Sequence, residues 1–140
     1  MISEVEIARP RADVAAFATD PDNAMRWYDN IESVAWETPP PLAVGSRIAF
    51  AARFLGRSLS YTYEVREHVP SERFVMATSE GPFPMETTYE FSDAEGGTLM
   101  RLRNRGEPSG FSILGGPLMA RAMRRANRKD LDNLKALLET

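Results

Sequence analysis

The closing stretch GGPLMARAMRRANRKDLDNLKALLET, residues 115–140, decides the fold. Pro117 fits the first turn of a helix, where its missing N–H has no partner to lose. No further Pro or Gly interrupts the run. At ~1.5 Å per residue it makes a helix of roughly 35 Å, long enough to cross a small domain. Met119, Met123, Ala126, Leu131, Leu134 and Leu138 recur at helical spacing and form an apolar stripe. A long helix with one apolar face needs a large apolar surface to cover. The rest of the chain has to supply it.

Working back from the helix, nearly everything between Ile31 and Arg105 reads as strands. Thr98 to Arg105 sets Met100, Leu102 and Asn104 against Arg101, Arg103 and Arg105. Pro84 to Ser92 places Met85, Thr87, Tyr89 and Phe91 opposite Glu86, Thr88 and Glu90. Glu72 to Ser79 carries Phe74 and Met76 on one face. Arg57 to Val69 alternates Leu59, Tyr61, Tyr63 and Val65 with Ser60, Thr62, Glu64 and Arg66. Ser46 to Leu55 alternates Ile48, Phe50, Ala52 and Phe54 with Arg47 and Arg53. Ile31 to Glu37 is a further strand, stopped by Pro39-Pro40-Pro41. At the start, Ile2 to Ala8 is a half-buried strand with Ser3, Val5 and Ile7 inward. Two short helices follow it, one from Pro10 and one from Pro21 to about Trp27, with Asp20 as the N-cap of the second. Short connections imply antiparallel neighbours, and the alternation means one wet and one covered sheet face. The expected architecture is α+β: a seven-stranded antiparallel sheet curved around a long C-terminal helix, with two short helices after the first strand. Such a sheet can leave a cavity against the helix. A usable one should reach roughly 300 Å³.

Composition narrows the function classes. At 140 residues one domain, 1–140, is expected. The net charge of −3 offers no global attraction for nucleic acid or an anionic membrane. The chain has no Cys, which rules out disulfides, thiolate metal sites and a Cys nucleophile, and fits a cytoplasmic setting. The N-terminus lacks the pattern of a signal peptide, and no apolar run is long enough to insert in a membrane.

The order strand, two short helices, six strands, long helix resembles the START-like superfamily, also called SRPBCC, and within it the polyketide cyclase/dehydrase-like branch. Local marks are Asp20, Asn23 and Trp27 in the paired short helices. Others are the run Leu42 to Arg47, the Gly96-Gly97-Thr98 entry to the last strand, and the closing run Asp130 to Glu139. The resemblance covers nearly the whole chain. It implies a helix-grip fold with an internal pocket for an apolar or aromatic small molecule. It implies no particular activity, since the superfamily includes carriers, receptors and cyclases.

Residues that could carry chemistry are few. His68 is the only histidine, so no histidine cluster exists for a metal, and an ordinary surface role fits it. Most carboxylates fall on wet strand faces or in turns, so no catalytic pair can be placed. Inward polar groups stand out instead: Tyr61, Tyr63, Thr87, Tyr89, Asn104 and, on the helix stripe, Asn127. Such groups either satisfy one another or line a pocket and orient a ligand. Trp27, Trp36, Phe50, Met76, Met85, Met100, Met119 and Met123 could supply apolar walls or simply fill the core. The stretch 110–117 could gate a pocket or be a plain connection. Arg121, Arg124, Arg125, Arg128 and Lys129 make the helix locally basic. A solvated face explains this, and docking of an acidic carrier protein is the alternative.

The reading that follows is binding of a small apolar ligand, lipid- or polyketide-like. The candidate residues are Trp27, Phe50, Tyr61, Tyr63, Met76, Met85, Thr87, Tyr89, Met100, Asn104, Met119, Met123 and Asn127. No cofactor, metal or nucleic-acid partner is expected. A polyketide cyclase or dehydratase is the second reading, with Tyr and Asn polarising carbonyls. A protein-interaction module using the basic helix face is the third.

Overall fold

The computed structural model describes residues 1–54, 56–81, 84–106 and 117–140, and the side chains of these apart from 54, 106 and 117–120. The expected segment 110–117 therefore lies outside the described residues up to its last position, as does the side chain of Met119.

Strand β1 (Ile2–Ile7) leads into helix α1 (Arg11–Thr19). A 3₁₀ turn (Pro21–Asn23) and the short helix α2 (Ala24–Trp27) follow. Six strands come next: β2 (Ile31–Trp36), β3 (Arg47–Phe54), β4 (Arg57–Val69), β5 (Arg73–Glu80), β6 (Met85–Ala94) and β7 (Gly97–Gly106). Helix α3 (Pro117–Glu139) closes the chain. The expected second helix is thus a tight turn running into a single α-helical turn. Asp20 starts it as expected: its Oδ1 accepts from the Asp22 N–H at 2.9 Å.

The strands form one antiparallel sheet of seven, ordered β1-β7-β6-β5-β4-β3-β2. The sheet is curled into a half-barrel around α3, the helix-grip arrangement. Part of the curl has a visible source. The register of β4 against β5 slips between Thr62 and Tyr63 and again between Val65 and Glu67. Each slip bends the strand and adds twist. A tight crossing also fixes the join of β1 and β7. Gly97 lies so close to the Ile7 carbonyl that a Cβ there would overlap it, and Gly96 before it has φ +81°. Thr98, fully buried, donates its hydroxyl to the Arg9 carbonyl at 2.8 Å.

The core sits between the inner sheet face and the helices. Ile48, Val65, Phe74, Met100 and Leu102 from the sheet meet Val14 and Trp27 from α1 and α2, and Leu131 and Leu134 from α3. The C-terminal half of α3 is also fastened by polar bonds. Lys135 Nζ donates to the Glu6 carbonyl at 2.7 Å, and Arg9 Nη1 donates to the Leu138 carbonyl at 2.9 Å. The Ala8 N–H donates to Glu139 Oε2 at 2.8 Å. Asn133 Nδ2 donates to the Trp27 carbonyl and to Asp29 Oδ1. No helix among the described residues is long and apolar enough to cross a membrane.

Candidate functional site

The sheet's inner face and the N-terminal half of α3 do not close on each other. Between them lies a cavity of about 150 Å³. That is half the expected volume. The reason is the set of rings that point inward. Phe50 and Tyr61 stack at 5.6 Å, and Tyr63 meets both edge-on at 5.8 and 5.2 Å. They occupy space that smaller residues would leave open. A cavity of this volume holds a benzene-sized group, and because it is partly open a larger molecule can place one ring or chain segment inside and extend outward.

Period-two alternation puts the walls in place. Strand β3 contributes Phe50 and Ala52, β4 contributes Leu59, Tyr61 and Tyr63, and β5 contributes Phe74 and Met76. Strand β6 adds Met85, Thr87 and Tyr89, and β7 adds Asn104. From α3 come Met123, Ala126, Asn127 and Asp130, one turn apart along one face. Tyr28 and Ile31 close the side next to α2. The rim carries Asp20, Glu86 and Arg105.

The polar atoms are organised in two sets. Asn104 Oδ1 can only accept, so the Thr87 hydroxyl donates to it at 3.1 Å. The Thr87 oxygen is then free to accept from the Tyr63 hydroxyl, 2.8 Å away. The Tyr28 and Tyr89 hydroxyls share a second bond at 2.5 Å. Burial raises the pKa of all four cavity tyrosines, Tyr28, Tyr61, Tyr63 and Tyr89, with Tyr63 pushed up to about 12. They stay neutral hydroxyls at any ordinary pH.

Asp130 is the one buried carboxyl among the described residues. It is 3% exposed, and its Oδ1 accepts from the Asp29 N–H at 3.1 Å. Its Oδ2 has no hydrogen-bond partner among the described residues. Burial pushes its pKa up to about 7, against a lowering by the Asp29 N–H, while the Asp29 carboxylate adds to the rise. Lys129 is nearby but pairs with Asp29 at 3.0 Å. The cavity therefore holds a carboxyl able to carry a proton near neutrality.

The sequence-level candidates divide cleanly. Phe50, Tyr61, Tyr63, Met76, Met85, Thr87, Tyr89, Asn104, Met123 and Asn127 all line the cavity. Trp27 and Met100 do not. Trp27 is 1% exposed and packs behind the wall, its ring 4.1 Å from Tyr28 and 5.8 Å from Tyr89. Met100 is fully buried where β7 pairs with β1 and β6. Both are core rather than wall: Trp27 packs against Tyr28 and Tyr89, and Met100 is covered between its neighbours on β1 and β6. Asp130 and Tyr28 were not among the candidates. Asp130 follows Met123 by seven residues and Asn127 by three, so helical spacing placed it on the inner face; its charge argued for solvent. Tyr28 follows the last turn of α2, where no periodicity reveals its direction.

A second, more open groove of about 450 Å³ runs between α1 and the Pro40-Pro41-Leu42 loop. His68 and Trp36 lie on it. The His68 ring meets Phe74 edge-on at 5.5 Å, and the Trp36 indole N–H donates to Asp22 Oδ1. It is larger than the first cavity and only slightly more open, but its lining is more polar, with Asp22, Ser71 and Arg73 on it. Among the described residues no three His, Asp or Glu side chains converge to hold a metal.

Solved structures repeat this architecture. A protein of Thermus thermophilus superposes with a TM-score of 0.80 at 20% identity, covering 99% of this chain and 95% of the other. A START superfamily protein from Mycobacterium smegmatis gives 0.80 at 13% identity, covering 99% and 96%. The di-domain ARO/CYC StfQ of the steffimycin biosynthetic pathway gives 0.79 at 14% identity; 99% of this chain matches half of that one. At these identities the likeness is one of fold. No curated protein matches by sequence. The family model described as polyketide cyclase / dehydrase and lipid transport matches residues 2–139, and with the fold and cavity in agreement the chain belongs to that family.

Proposed function

We propose that the protein binds a small apolar or aromatic molecule, lipid- or polyketide-like, in the cavity between sheet and α3, with residues 1–140 acting as one ligand-binding domain. The observation that carries this reading is the partly open, largely apolar cavity walled by Phe50, Tyr61, Phe74, Met76 and Met85, with a few hydroxyl and amide groups on its lining. That mixture is what small-molecule sites require: apolar area for affinity and sparse polar groups for orientation. Native mass spectrometry of freshly purified protein, followed by titration with one- and two-ring aromatic compounds, tests it. A bound compound, or micromolar binding that raises the melting temperature, is the expected result. If no apolar or aromatic compound binds or shifts the melt, the reading is wrong.

Catalysis is the second reading. The family description includes cyclases and dehydrases, and Asp130 supplies the proton-transfer group that the sequence alone did not provide. With Tyr and Asn groups polarising carbonyls, it could move a proton on a folded polyketone chain. Turnover of such a chain, abolished by Asp130→Leu, would favour this reading over simple binding.

A further inference from the structure

We propose that Asp130 sets the specificity of the cavity: in its protonated form its Oδ2 hydroxyl donates to an acceptor oxygen of a neutral aromatic ligand, and loss of that proton weakens the ligand's hold. This rests on the ligand-binding reading above and adds a ligand class and a form of control.

A count of donors and acceptors leads to it. The Thr87 bond uses the acceptor side of the Asn104 amide, so its NH₂ group remains to donate. The Tyr61 hydroxyl has no partner among the described residues. One of the Tyr28 and Tyr89 hydroxyls must give its proton to the other, which leaves one hydroxyl proton over. Asp130 Oδ2 is the fourth group. It sits on a side chain that is almost wholly buried and lines the cavity. When protonated it too is a donor. Asn127, whose Nδ2 donates to Met1 Sδ, adds an unassigned acceptor oxygen, so among the described residues the cavity offers more free donors than free acceptors. The free donors reach the cavity space rather than being sealed in the core, where Trp27 Nε1 is the one buried side-chain polar atom without a partner among the described residues, so a guest with acceptor oxygens can meet several of them at once. A ketone or quinone oxygen does so without bringing charge.

Charge points the same way. Among the described residues, Arg105 is the one cationic side chain on the cavity lining. Lys129, its neighbour on α3, is held by Asp29, and Arg105 stands at the rim with Glu86 at 3.9 Å. From the sheet, Tyr61, Tyr63 and Tyr89 face it as neutral hydroxyls; from the α2 side come Tyr28 and Asp29. Asp20 lies further along the lining. A ligand carboxylate would meet tyrosines and acids with no counter-ion. Ionised Asp130, for its part, accepts hydrogen bonds but donates none, so a carbonyl ligand would face an oxygen anion.

The test compares acetonaphthone, its oxygen-free analogue ethylnaphthalene, naphthylmethylamine and naphthoate by calorimetric titration from about pH 6 to about pH 9. Acetonaphthone should bind best, with an affinity that is level on the acid side and falls by up to tenfold per pH unit once Asp130 ionises. Ethylnaphthalene should bind more weakly and without pH dependence. Asp130→Asn keeps the acceptor for the Asp29 N–H and puts a permanent N–H donor in place of Oδ2. It should retain at high pH the ketone affinity that the parent loses, and its profile should be flat. Asp130→Leu should lose the preference for the ketone over ethylnaphthalene at every pH.

A parent profile for acetonaphthone with no pH dependence overturns the proposal. So does an amine that binds most tightly and tightens as pH rises, or a preference for naphthoate. These measurements on the parent stand even if a variant does not fold. If the naphthalenes bind but show none of the expected ordering, only the role of Asp130 fails. If none of them binds and native mass spectrometry shows no co-purifying apolar compound, the ligand-binding reading fails with it.

Discussion

The two halves of α3 do opposite work with the same helical periodicity. From Leu131 to Leu138 the inner face is leucine, fully covered, and bonded at its edges to β1 and α2. From Met123 to Asp130 the inner face is Met, Ala, Asn and Asp, and it roofs a cavity. The outer faces differ in the same way. Lys135 ties to Glu6 and Glu139, whereas Arg121, Arg124, Arg125 and Arg128 are exposed and form no salt bridge among the described residues. One half is an anchor and the other a lid built on it. An apolar stripe says that a helix packs, but what the stripe is made of says whether it seals.

The difference can be broken most directly with a matched pair. Leu134→Ala, at a site of zero exposure, should cost about 2–5 kcal/mol, the price of an unrelaxed cavity in a packed core. Met123→Ala, half-buried at the cavity, should cost about 1 kcal/mol or less and change ligand affinity instead. Urea melts on both variants decide; equal losses would mean that the roof is as structural as the anchor.

A second measurement targets the anchor's seat on the sheet. Gly97→Ala should cost roughly 1–3 kcal/mol or more, since the added methyl meets the Ile7 backbone, which cannot swing aside as a side chain can. Gly96→Ala should also destabilise, through its left-handed φ rather than through a clash. A thermal melt showing Gly97→Ala at parent stability would contradict the close crossing of β1 and β7.

A third exploits pH at the roof. Asp130 holds its proton to about pH 7 in the folded chain, against an ordinary value of 3.8. As pH rises through that window the unfolded chain ionises there first, so stability falls and the loss is complete above it. The full difference corresponds to about 4 kcal/mol at most. Asp130→Asn should remove it, leaving a variant that matches the parent only below about pH 4, draws ahead of it between about pH 4 and about pH 7, and stays ahead above that. Parallel melts that never diverge would place Asp130 in ordinary solvent. The smallest effect belongs to the outer face of the roof: Arg125→Ala should alter stability by about 0.5 kcal/mol or less.

Much of this was legible in the residues. The strands announced themselves because each alternates apolar and charged side chains, and a period of two fixes which side chains share a face. Tyr61, Tyr63, Thr87, Tyr89 and Asn104 therefore fell in the cavity wall as expected. Depth along the face is another matter. Trp27 and Met100 are buried too, yet neither lines the cavity, and no pattern in the chain distinguishes a wall from the core behind it. Asp130 was hidden by its own chemistry. Charge argues for water until the fold surrounds it, and only the tertiary arrangement reveals that Oδ2 faces a dry space. Cavity volume was likewise out of reach, since it depends on how Phe50, Tyr61 and Tyr63 lean on one another.

The half-barrel stops at β2 without closing, and this leaves a row of backbone groups at the sheet's margin. Unpaired margins of this kind recruit strands from other copies and start aggregates. Here Glu32 on β2 is bonded to Arg53, and Glu37 beyond its end accepts from the Thr62 hydroxyl, so the margin carries negative charge. Pro39, Pro40 and Pro41 follow and cannot donate to an incoming strand. A fold that must stay open to grip its helix has placed acids and prolines where openness would otherwise invite self-association.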